Sequence, residues 1–413
     1  MRRPRGPHVT RRLAVGVLAF ALAGAAADKA GVAAPRMDQR ADDEGFRRFL
    51  EELWPDAQAA GITRATFDLA LAGVAFDSRV MAAFQKQPEY GKPVGEYVNA
   101  IASPARIEAG RRKATEWSKT FAAVEQAFAV ERWILVGIWG IETDYGSEKD
   151  TWDVVRSLAT LAYATDRGRY FRGELIGALR MIEEKAVERK NMLGSWAGAM
   201  GQPQFMPSDF LQFAVDFSGD GRRDIWTSVP DVLGSMGNYL HQDGWDSRQP
   251  WGFEVVVPAG FDYRRSRASF PEWTNLGVVR ADGAAMPPAG NAIMFFPSGA
   301  AGPAFLVTGN FNVIKLYNNS DVYALAVGHL GDRVRGGGPI RTPWPKKDIQ
   351  LSRSDRITLQ KKLAALGYKV NDFEAHIDFD LRDAIRDVQS KLGMVPDGHP
   401  TPELLRRLDE LKH

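Results

Sequence analysis

Apolar residues recur at helical spacing from about residue 46 to residue 245. Phe46, Phe49, Leu50 and Leu53 stand at i, i+3, i+4 and i+7, the spacing that defines one face of an amphipathic helix. The same kind of pattern follows in "RIEAGRRKATEWSKTFAAVEQAFAV" (106–130), "VVRSLATLAYA" (154–164) and "FRGELIGALRMIEEK" (171–185). This region is therefore predicted to be mainly α-helical.

The pattern changes between about 250 and 315. The segments "FEVVVPAGFDY" and "NAIMFFPSGAAGPAFLVTGNFNVIKLY" are rich in Val, Phe, Gly and Pro, which is typical of short strands joined by turns. Helical spacing resumes at "SDVYALAVGHLG" (320–331). We therefore predict a helical domain of residues 46–335 with a small β insertion.

A Gly- and Pro-rich stretch, "VRGGGPIRTPWPKKD", follows this domain and predicts a linker over 336–350. Residues 351–413 then carry three short helical patterns, which predict a small three-helix domain. Ser354 and Thr401 stand where helix N-caps are expected. At the other end of the chain, residues 28–45 are Ala-rich and charged and are predicted to be a linker.

Length and charge limit the classes of protein to consider. The 413 residues are too many for one compact core, so two or three domains are expected. Lys and Arg total 53 against 51 Asp and Glu, for a net charge of +2, which gives no reason to expect a nucleic-acid partner. There is no cysteine, so disulfides, thiol catalysis and lipid attachment through cysteine are excluded.

Residues 1–27 have the pattern of an export signal. Five arginines precede the apolar run "LAVGVLAFALAGAAA" (13–27), which ends in small residues before Asp28, as in a cleavable signal peptide. The alternative is a membrane anchor, but the run is shorter than the roughly 20 residues that span a bilayer. We therefore expect export to the periplasm, with no membrane span after cleavage.

Candidate chemistry begins with Glu142. It follows the apolar run "RWILVGIW" (132–139), so we expect it at the end of a buried helix, where desolvation raises the pKa of a carboxyl group. A carboxylic acid that is protonated near neutral pH can act as general acid on a glycosidic oxygen. The alternative is a helix-end glutamate paired with an arginine.

A glycosidase normally uses a second carboxylate. Asp144 is the nearest candidate in sequence, but at i+2 on a helix it points in another direction. This objection weakens if the segment has already left the helix. A single acid is sufficient if the substrate supplies its own nucleophile, as in substrate-assisted glycosidases.

The stretch "GSWAGAMGQPQFMPSDFLQFAVDFSGDGRRDIW" (194–226) has few charges at its start. Close backbone approach at Gly198 and Gly201 would form a groove wall. Ser195, Gln202 and Gln204 are uncharged hydrogen-bonding residues beside Phe205, a combination that suits sugar hydroxyls and acetamides. The alternative is a glycine-rich packing corner.

The end of this stretch has features of a calcium loop. Asp216, Ser218 and Asp220 occupy positions 1, 3 and 5, with Gly221 at position 6. Position 12 is Thr227 where an EF-hand has a bidentate Glu. The alternative is a turn capped by its own aspartates.

Four motifs together make the sequence resemble a known family. "GIWGIETDYG", "AGAMGQPQFMPSDF", "DFSGDGRRDIW" and "LYNNSDVYALAVGHLGD" occur in this order, and residues 42–335 are similar to the lytic murein transglycosylase B family, glycoside hydrolase family 103. The resemblance implies a mainly α, lysozyme-like domain. It also implies cleavage of the β-1,4 bond between N-acetylmuramic acid and N-acetylglucosamine in peptidoglycan, giving a 1,6-anhydromuramic acid end. No cofactor is required for this chemistry.

The resemblance also implies residue roles. Glu142 matches the single catalytic acid, which later accepts the proton of the C6 hydroxyl, and the substrate acetamido group is the internal nucleophile. Ser195 matches a serine near that acetamido group, and Asp231 could complete a calcium site. Further substrate-binding residues matched by position are Gln204, Phe205, Tyr239, Tyr317, Asn318, Tyr323 and Arg167, the last of them with the weakest match.

Residues 351–413 resemble the peptidoglycan-binding domain type 1 family. The matching residues include Leu359, Gln360, Gln389 and the pair Asp397-Gly398, whereas "DFEAHIDFD" departs from the usual middle turn. The expected partner is a peptidoglycan glycan strand. As a tether, this domain would raise the enzyme concentration on an insoluble polymer, and its removal would spare turnover of soluble fragments. The rival functions are a hydrolytic muramidase and a non-catalytic wall-binding scaffold.

Overall fold

The computed structural model describes residues 39–85 and 92–411, with side chains from residue 43 onward. The predicted export signal, residues 1–27, lies outside the described residues. Within residues 39–85 and 92–411, no helix is both long enough and apolar enough to cross a membrane.

The described residues up to Gln242 are mainly helical, as predicted. The helices are α1 (Gln39–Glu51), α2 (Trp54–Ala59), α3 (Arg64–Leu71), α4 (Ser78–Gln85), α5 (Val94–Ile101), α6 (Pro104–Glu116), α7 (Ser118–Phe128), α8 (Arg132–Thr143), α9 (Val154–Ala164), α10 (Gly168–Glu183), α11 (Pro207–Phe213) and α12 (Val229–Gln242). A 3₁₀ turn spans Arg189–Asn191, and strands β1 (Trp152–Asp153) and β2 (Leu193–Gly194) pair antiparallel.

Helix α1 begins before the predicted domain boundary. Residues 39–45 are helical, although their Ala-rich, charged composition predicted a linker over 28–45. Such a composition is compatible with both states, because alanine and charged side chains are good helix formers. The packing of Phe46 and Leu50 in the main core favours the helix.

Helix α8 is the central element of the main core. Every residue from Ile134 to Thr143 is buried, as the apolar run predicted. Its principal neighbour is α15 (Asp321–Arg335), and the two backbones approach closely at a glycine. A Cβ added at Gly137 would lie 2.4 Å from the carbonyl oxygen of Val327. A larger residue would push the two helices apart.

The β insertion is a five-stranded antiparallel sheet. Its strands are β3 (Gly252–Val256), β4 (Arg267–Ser269), β5 (Val279–Arg280), β6 (Asn291–Phe295) and β7 (Ala304–Val307), in the order β4-β6-β7-β3-β5, with helix α13 (Phe270–Asn275) between β4 and β5. One face encloses a small apolar cluster around Phe270, Trp273 and Met294.

The sheet ends earlier than the sequence predicted. Residues Gly309–Tyr317 form helix α14, although "FNVIKLY" was included in the predicted strands. Thr308 caps this helix by accepting from the Asn310 N–H, and Phe311 and Ile314 are buried against the main core. Tertiary packing therefore overrides the β preference of the Val-Ile pair.

The C-terminal domain has three helices, as predicted. They are α16 (Arg353–Ala365), α17 (Phe379–Lys391) and α18 (Pro402–Arg407), followed by a 3₁₀ turn at Leu408–Leu411. Thr401 caps α18 as expected. The predicted cap of α16 is wrong, because Ser352 and not Ser354 occupies that position. Ser352 forms a reciprocal capping box with Asp355, whereas Ser354 has no acidic partner three residues on.

Candidate active site

Glu142 lies in the last turn of α8 and is only 5% exposed. This confirms its predicted burial. The hydroxyl of Tyr323, on α15, donates a hydrogen bond to Oε1 of Glu142. Burial, and then the charge of Glu142, raise the pKa of Tyr323 well above its ordinary value. Tyr323 therefore stays a neutral hydrogen-bond donor over the whole working pH range.

Asp144 does not share this position. It follows α8 in a left-handed conformation, with φ of 46°, and its Oδ1 lies 3.1 Å from Nε of Arg106. Ser147 donates its hydroxyl to the other carboxylate oxygen. The carboxylate next in sequence to Glu142 is therefore held by an arginine and a serine. Asp144 has already left the helix, so these contacts, and not its i+2 spacing, set its direction.

The loop from Ser195 to Phe205 forms one wall beside Glu142. The Ala199 N–H donates to Oγ of Ser195 at 3.1 Å, and the Ser195 N–H donates to the Ala199 carbonyl at 2.7 Å. Gly201 has a φ of 65°, and a Cβ there would lie 2.6 Å from the carbonyl oxygen of Ile225. This is the close backbone approach that the glycines predicted.

Asp150 holds this loop, and the sequence analysis missed it. Its carboxylate accepts from the Gly201 N–H at 2.6 Å and from Nε2 of Gln204 at 3.0 Å. Gln204 has a φ of 51°, which is rare for a residue with a side chain, so this turn needs external support. Burial outweighs the two hydrogen bonds and raises the pKa of Asp150 to about 6. No local motif around "GSEKD" indicates this role.

Gln202 has a structural role instead of the sugar contact that the sequence suggested. Its Oε1 accepts from Nε1 of Trp139 at 2.9 Å, and its Nε2 donates to the carbonyl of Trp226 at 2.9 Å. Thr143 also donates its hydroxyl to the Gln202 carbonyl. These contacts join the end of α8 directly to the loop wall.

Three predicted aromatic residues form a cluster beside the loop. The ring centroids of Tyr239 and Tyr317 are 4.9 Å apart, and Phe205 lies 5.7 Å from Tyr239 and 5.8 Å from Tyr317. The Tyr317 hydroxyl donates to the Pro203 carbonyl at 2.5 Å. Burial, followed by the charge of Glu142, raises the pKa of Tyr317 well above its ordinary value. The cluster thus lies within electrostatic range of the candidate acid.

Asn318 lies between the helices that carry Tyr317 and Tyr323. It ends α14 in an extended conformation, and its residue is 5% exposed. Within residues 39–85 and 92–411, no hydrogen bond of its side-chain amide is found, so the amide is available to a ligand. Its backbone carbonyl accepts from the Ser320 N–H.

Arg167 is positioned by aromatic contacts. It precedes α10, and its guanidinium lies 5.2 Å from the ring centroid of Tyr170 and 5.6 Å from that of Phe171. Neither ring belongs to the cluster beside Glu142. A contact of Arg167 with a peptide stem stays a prediction.

The aspartates of the predicted calcium loop converge. Carboxylate oxygens of Asp216, Asp220 and Asp231 lie within 4.8 Å of one another. Asp216 also accepts from the N–H groups of Gly219, Asp220 and Gly221, and Ser218 donates its hydroxyl to it. Asp231 accepts from the N–H groups of Phe217, Ser218 and Asp224. The donor set suits calcium in part, and the turn is also closed by its own backbone.

A cavity of about 650 Å³ lies at the opposite end of α8 and α15 from Glu142. Its lining includes Glu131, His329 and Asp332 but none of the predicted site residues. Burial raises the pKa of Asp332 to about 7 and lowers that of His329 to about 4. The cavity is therefore separate from Glu142 and the residues around it.

Two family models match the chain. The model of the transglycosylase SLT domain matches residues 45–332, and the model of the peptidoglycan binding domain matches residues 352–408.

Individual proteins are also similar. Membrane-bound lytic murein transglycosylase B of Escherichia coli K12 is 33% identical over 244 residues, which are 58% of this chain and 66% of that protein. The crystal structure of SltB3 from Pseudomonas aeruginosa in complex with NAG-anhNAM-pentapeptide has a TM-score of 0.79 and 44% identity, covering 88% of this chain and 99% of that one. The E. coli lytic transglycosylase Slt35 in complex with calcium has a TM-score of 0.59 and 26% identity, covering 71% of this chain and 94% of the other.

Proposed function

The chain belongs to the transglycosylase SLT domain family, and from this premise we propose that it cleaves the β-1,4 bond between N-acetylmuramic acid and N-acetylglucosamine in peptidoglycan, leaving 1,6-anhydromuramic acid ends. The observation that carries the proposal is Glu142, buried at the end of α8 and hydrogen-bonded by Tyr323. The match to SltB3, whose crystals hold NAG-NAM-pentapeptide and NAG-anhNAM-pentapeptide, supports the substrate class.

The reaction proceeds in two steps, with Glu142 as the acid in the first and the base in the second. Protonated Glu142 gives its proton to the leaving glycosidic oxygen, while the acetamido oxygen of the muramoyl residue attacks C1 and forms an oxazolinium ion. Glu142, now a carboxylate, takes the proton of the C6 hydroxyl as that oxygen attacks C1 and displaces the acetamido group. Atoms balance without water, and the acid is restored.

The surrounding residues orient this chemistry. Tyr323 donates to Oε1 of Glu142 and so holds the carboxyl group in one rotamer. Ser195, Gln204 and Asn318 offer hydrogen-bonding groups to the acetamido and hydroxyl groups of the glycan, and the Phe205, Tyr239 and Tyr317 cluster supports the wall from behind. The burial of Glu142 supports exclusion of water, which favours the intramolecular product over hydrolysis.

Mass spectrometry of digested sacculi tests the proposal. Anhydro-ended muropeptides, about 18 mass units (one water) below the hydrolysed products, are expected from the substrate-assisted route. Hydrolysed ends alone would make the protein a muramidase, and the absence of any cleavage would make it a wall-binding scaffold.

The site of action that we propose is the periplasm. The sequence of residues 1–27 supports it, because it has the basic, apolar and small-residue regions of an export signal. Detection of a mature chain that begins at Asp28 in the periplasmic fraction tests this localisation, and an uncleaved chain would contradict it.

We also propose a structural calcium ion in the loop of Asp216, Ser218, Asp220 and Asp231. The convergence of three carboxylates supports it, as does the Slt35 relative, whose structure holds calcium. The ion would stabilise the turn between α11 and α12 and would take no part in the cleavage chemistry.

A further inference from the structure

The C-terminal domain shares a core with the catalytic domain. Phe379, in the first turn of α17, packs in the main core and not in the C-terminal domain's own apolar cluster. Its ring lies 5.9 Å from that of Phe295 and 6.0 Å from that of Phe311. Arg386, which is 3% exposed, donates to the carbonyl of Met294 at 2.9 Å.

The Asp397-Gly398 pair of this domain is part of the same contact. Asp397 accepts from the Ala300 N–H at 2.8 Å through one carboxylate oxygen. Its other oxygen accepts from Nε2 of Gln389 and from the His399 N–H. Asp397-Gly398, a motif of the peptidoglycan-binding family, thus contacts the β insertion in this protein.

The innermost contact is an ion triad around Asp321. Nη2 of Arg382 lies 2.6 Å from Oδ2 of Asp321, and Nζ of Lys315 lies 2.5 Å from its Oδ1. Both charged partners are nearly buried, and Nη1 of Arg382 donates to the Gly398 carbonyl. Burial alone would raise the pKa of Asp321, but the Lys315 and Arg382 charges outweigh it and lower that pKa to about 2.

The triad lies beside the helix ends that carry Tyr317 and Tyr323. Asp321 is the first residue of α15, two positions before Tyr323. Lys315 lies in the last turn of α14, two positions before Tyr317. The ion pairs therefore clamp the short 318–320 connection from both sides, and this connection carries Asn318 and fixes the register of the Glu142–Tyr323 hydrogen bond.

Removal of Arg382 would leave the buried Asp321 carboxylate with one positively charged partner instead of two. A buried charge that loses a partner either draws in water or forces its backbone to move. Either response displaces the start of α15, and with it the hydroxyl of Tyr323.

We propose that Arg382 is a positioning residue for catalysis. Through its ion pair with Asp321, the C-terminal domain holds the start of α15 and the Tyr323 hydroxyl in place, in addition to contacting peptidoglycan. This proposal rests on the proposed function. It differs from the tether expected from the sequence, because it couples the domain to turnover of every substrate, soluble fragments included.

The test compares Arg382→Leu with Arg267→Leu. Arg267 also joins the two domains, through Asp380 and Asp383, but it is exposed and does not touch Asp321, so its variant is the matched control. Rates are measured on a soluble, uncrosslinked glycan tetrasaccharide with its stem peptides, and retention is measured on purified sacculi. Thermal melts establish that each variant is folded.

Arg382→Leu is expected to lower kcat by about 10- to 100-fold, the range for a displacement on the order of 1 Å. Its KM should change less than its kcat, because the displaced Tyr323 hydroxyl orients Glu142. Its retention on sacculi should stay within about twofold of wild type, since the wall-binding surface is unchanged. Arg267→Leu should leave all three values unchanged, and Arg382→Lys should restore part of the lost kcat because it returns the charge.

A folded Arg382→Leu variant with wild-type kcat would overturn the proposal, as would a loss of retention without a loss of kcat. If Arg382→Leu does not fold, Arg382→Lys decides. It keeps the charge but not the two-point contact, so a several-fold loss of kcat is expected and wild-type kcat overturns the proposal. Wild type that makes no anhydro product would refute the proposed function instead, so the two failures are distinguishable.

Discussion

Gly137→Ala tests whether the α8–α15 contact positions the acid. A Cβ at residue 137 would lie 2.4 Å from the carbonyl oxygen of Val327 and 3.3 Å from its Cγ1. Ordinary contacts of this kind begin at 3.4 Å, so the two helices must separate by about 1 Å to accept a methyl group. The carbonyl belongs to the helix backbone and cannot rotate away.

The energetic result follows from two opposing effects. Overpacking costs about 1–3 kcal/mol, while replacement of glycine by alanine inside a helix returns up to about 1 kcal/mol. We therefore expect a net destabilisation of up to about 2 kcal/mol. Gly173→Ala is the control, because Gly173 is an exposed position of helix α10 with nothing within 4 Å of its Cβ. That variant should gain up to about 1 kcal/mol.

The effect on activity should exceed the effect on stability. Val327 lies one turn beyond Tyr323 on α15, and Glu142 lies little more than one turn beyond Gly137 on α8. A separation of about 1 Å at this contact lengthens the Glu142–Tyr323 hydrogen bond, and a misplacement of that size costs up to about 100-fold in rate.

Urea unfolding and the initial rate of anhydromuropeptide release measure the two quantities. The difference in unfolding free energy between the Gly137 and Gly173 variants isolates the steric cost, because both gain the same helix propensity. Equal stability of the two variants within about 0.5 kcal/mol, with wild-type rates for both, would refute the reasoning.

Three further predictions address the acid, its loop and the metal. Glu142→Gln should lower lysis by a factor of about 10² or more, the contribution of a general acid, and should leave sacculus binding intact; Asp144→Asn is the control, and full residual lysis by the glutamine variant would contradict the assigned role. Asp150 has a folded-state pKa of about 6, above its ordinary 3.8, so the folded protein binds the proton first and the contribution of Asp150 to stability falls as pH rises from about 4 to about 6. As the pH falls from 7.5 to 4, the free energy of unfolding of wild type should therefore rise by up to about 3 kcal/mol relative to that of Asp150→Asn, measured by urea unfolding. An equal difference between the two proteins at both pH values would argue against a buried carboxylate. Calcium at 100 times its dissociation constant should raise the free energy of unfolding by about 2.7 kcal/mol, measured as a rise in melting temperature. Asp231→Asn should remove this rise, and magnesium should not reproduce it. No rise in wild type would mean that the loop is a turn closed by its own aspartates.

Much of the fold could be predicted because it is encoded in short stretches. The apolar run before Glu142 predicted a central helix, and α8 is buried along its length. The shift to Val, Phe, Gly and Pro predicted the β insertion, and Thr401 predicted a helix cap. The prediction was wrong at the cap of α16, where the local capping box of Ser352 with Asp355 decided, and along α14, where packing against the main core decided.

The sequence alone determined which chemistry is available: one carboxylic acid at the end of an apolar helix, aromatic and amide side chains in ordered motifs, and no cysteine. Only the tertiary structure decided what holds these groups in place. Asp150 supports Gly201 across 51 residues, Tyr323 meets Glu142 across 181, and Arg382 reaches Asp321 across 61. Such partners leave no periodic or local trace in the chain, because their meeting depends on how separately formed helices pack. Hydrophobic periodicity specifies which face of a helix is buried, and the neighbouring elements determine which polar atom that face meets.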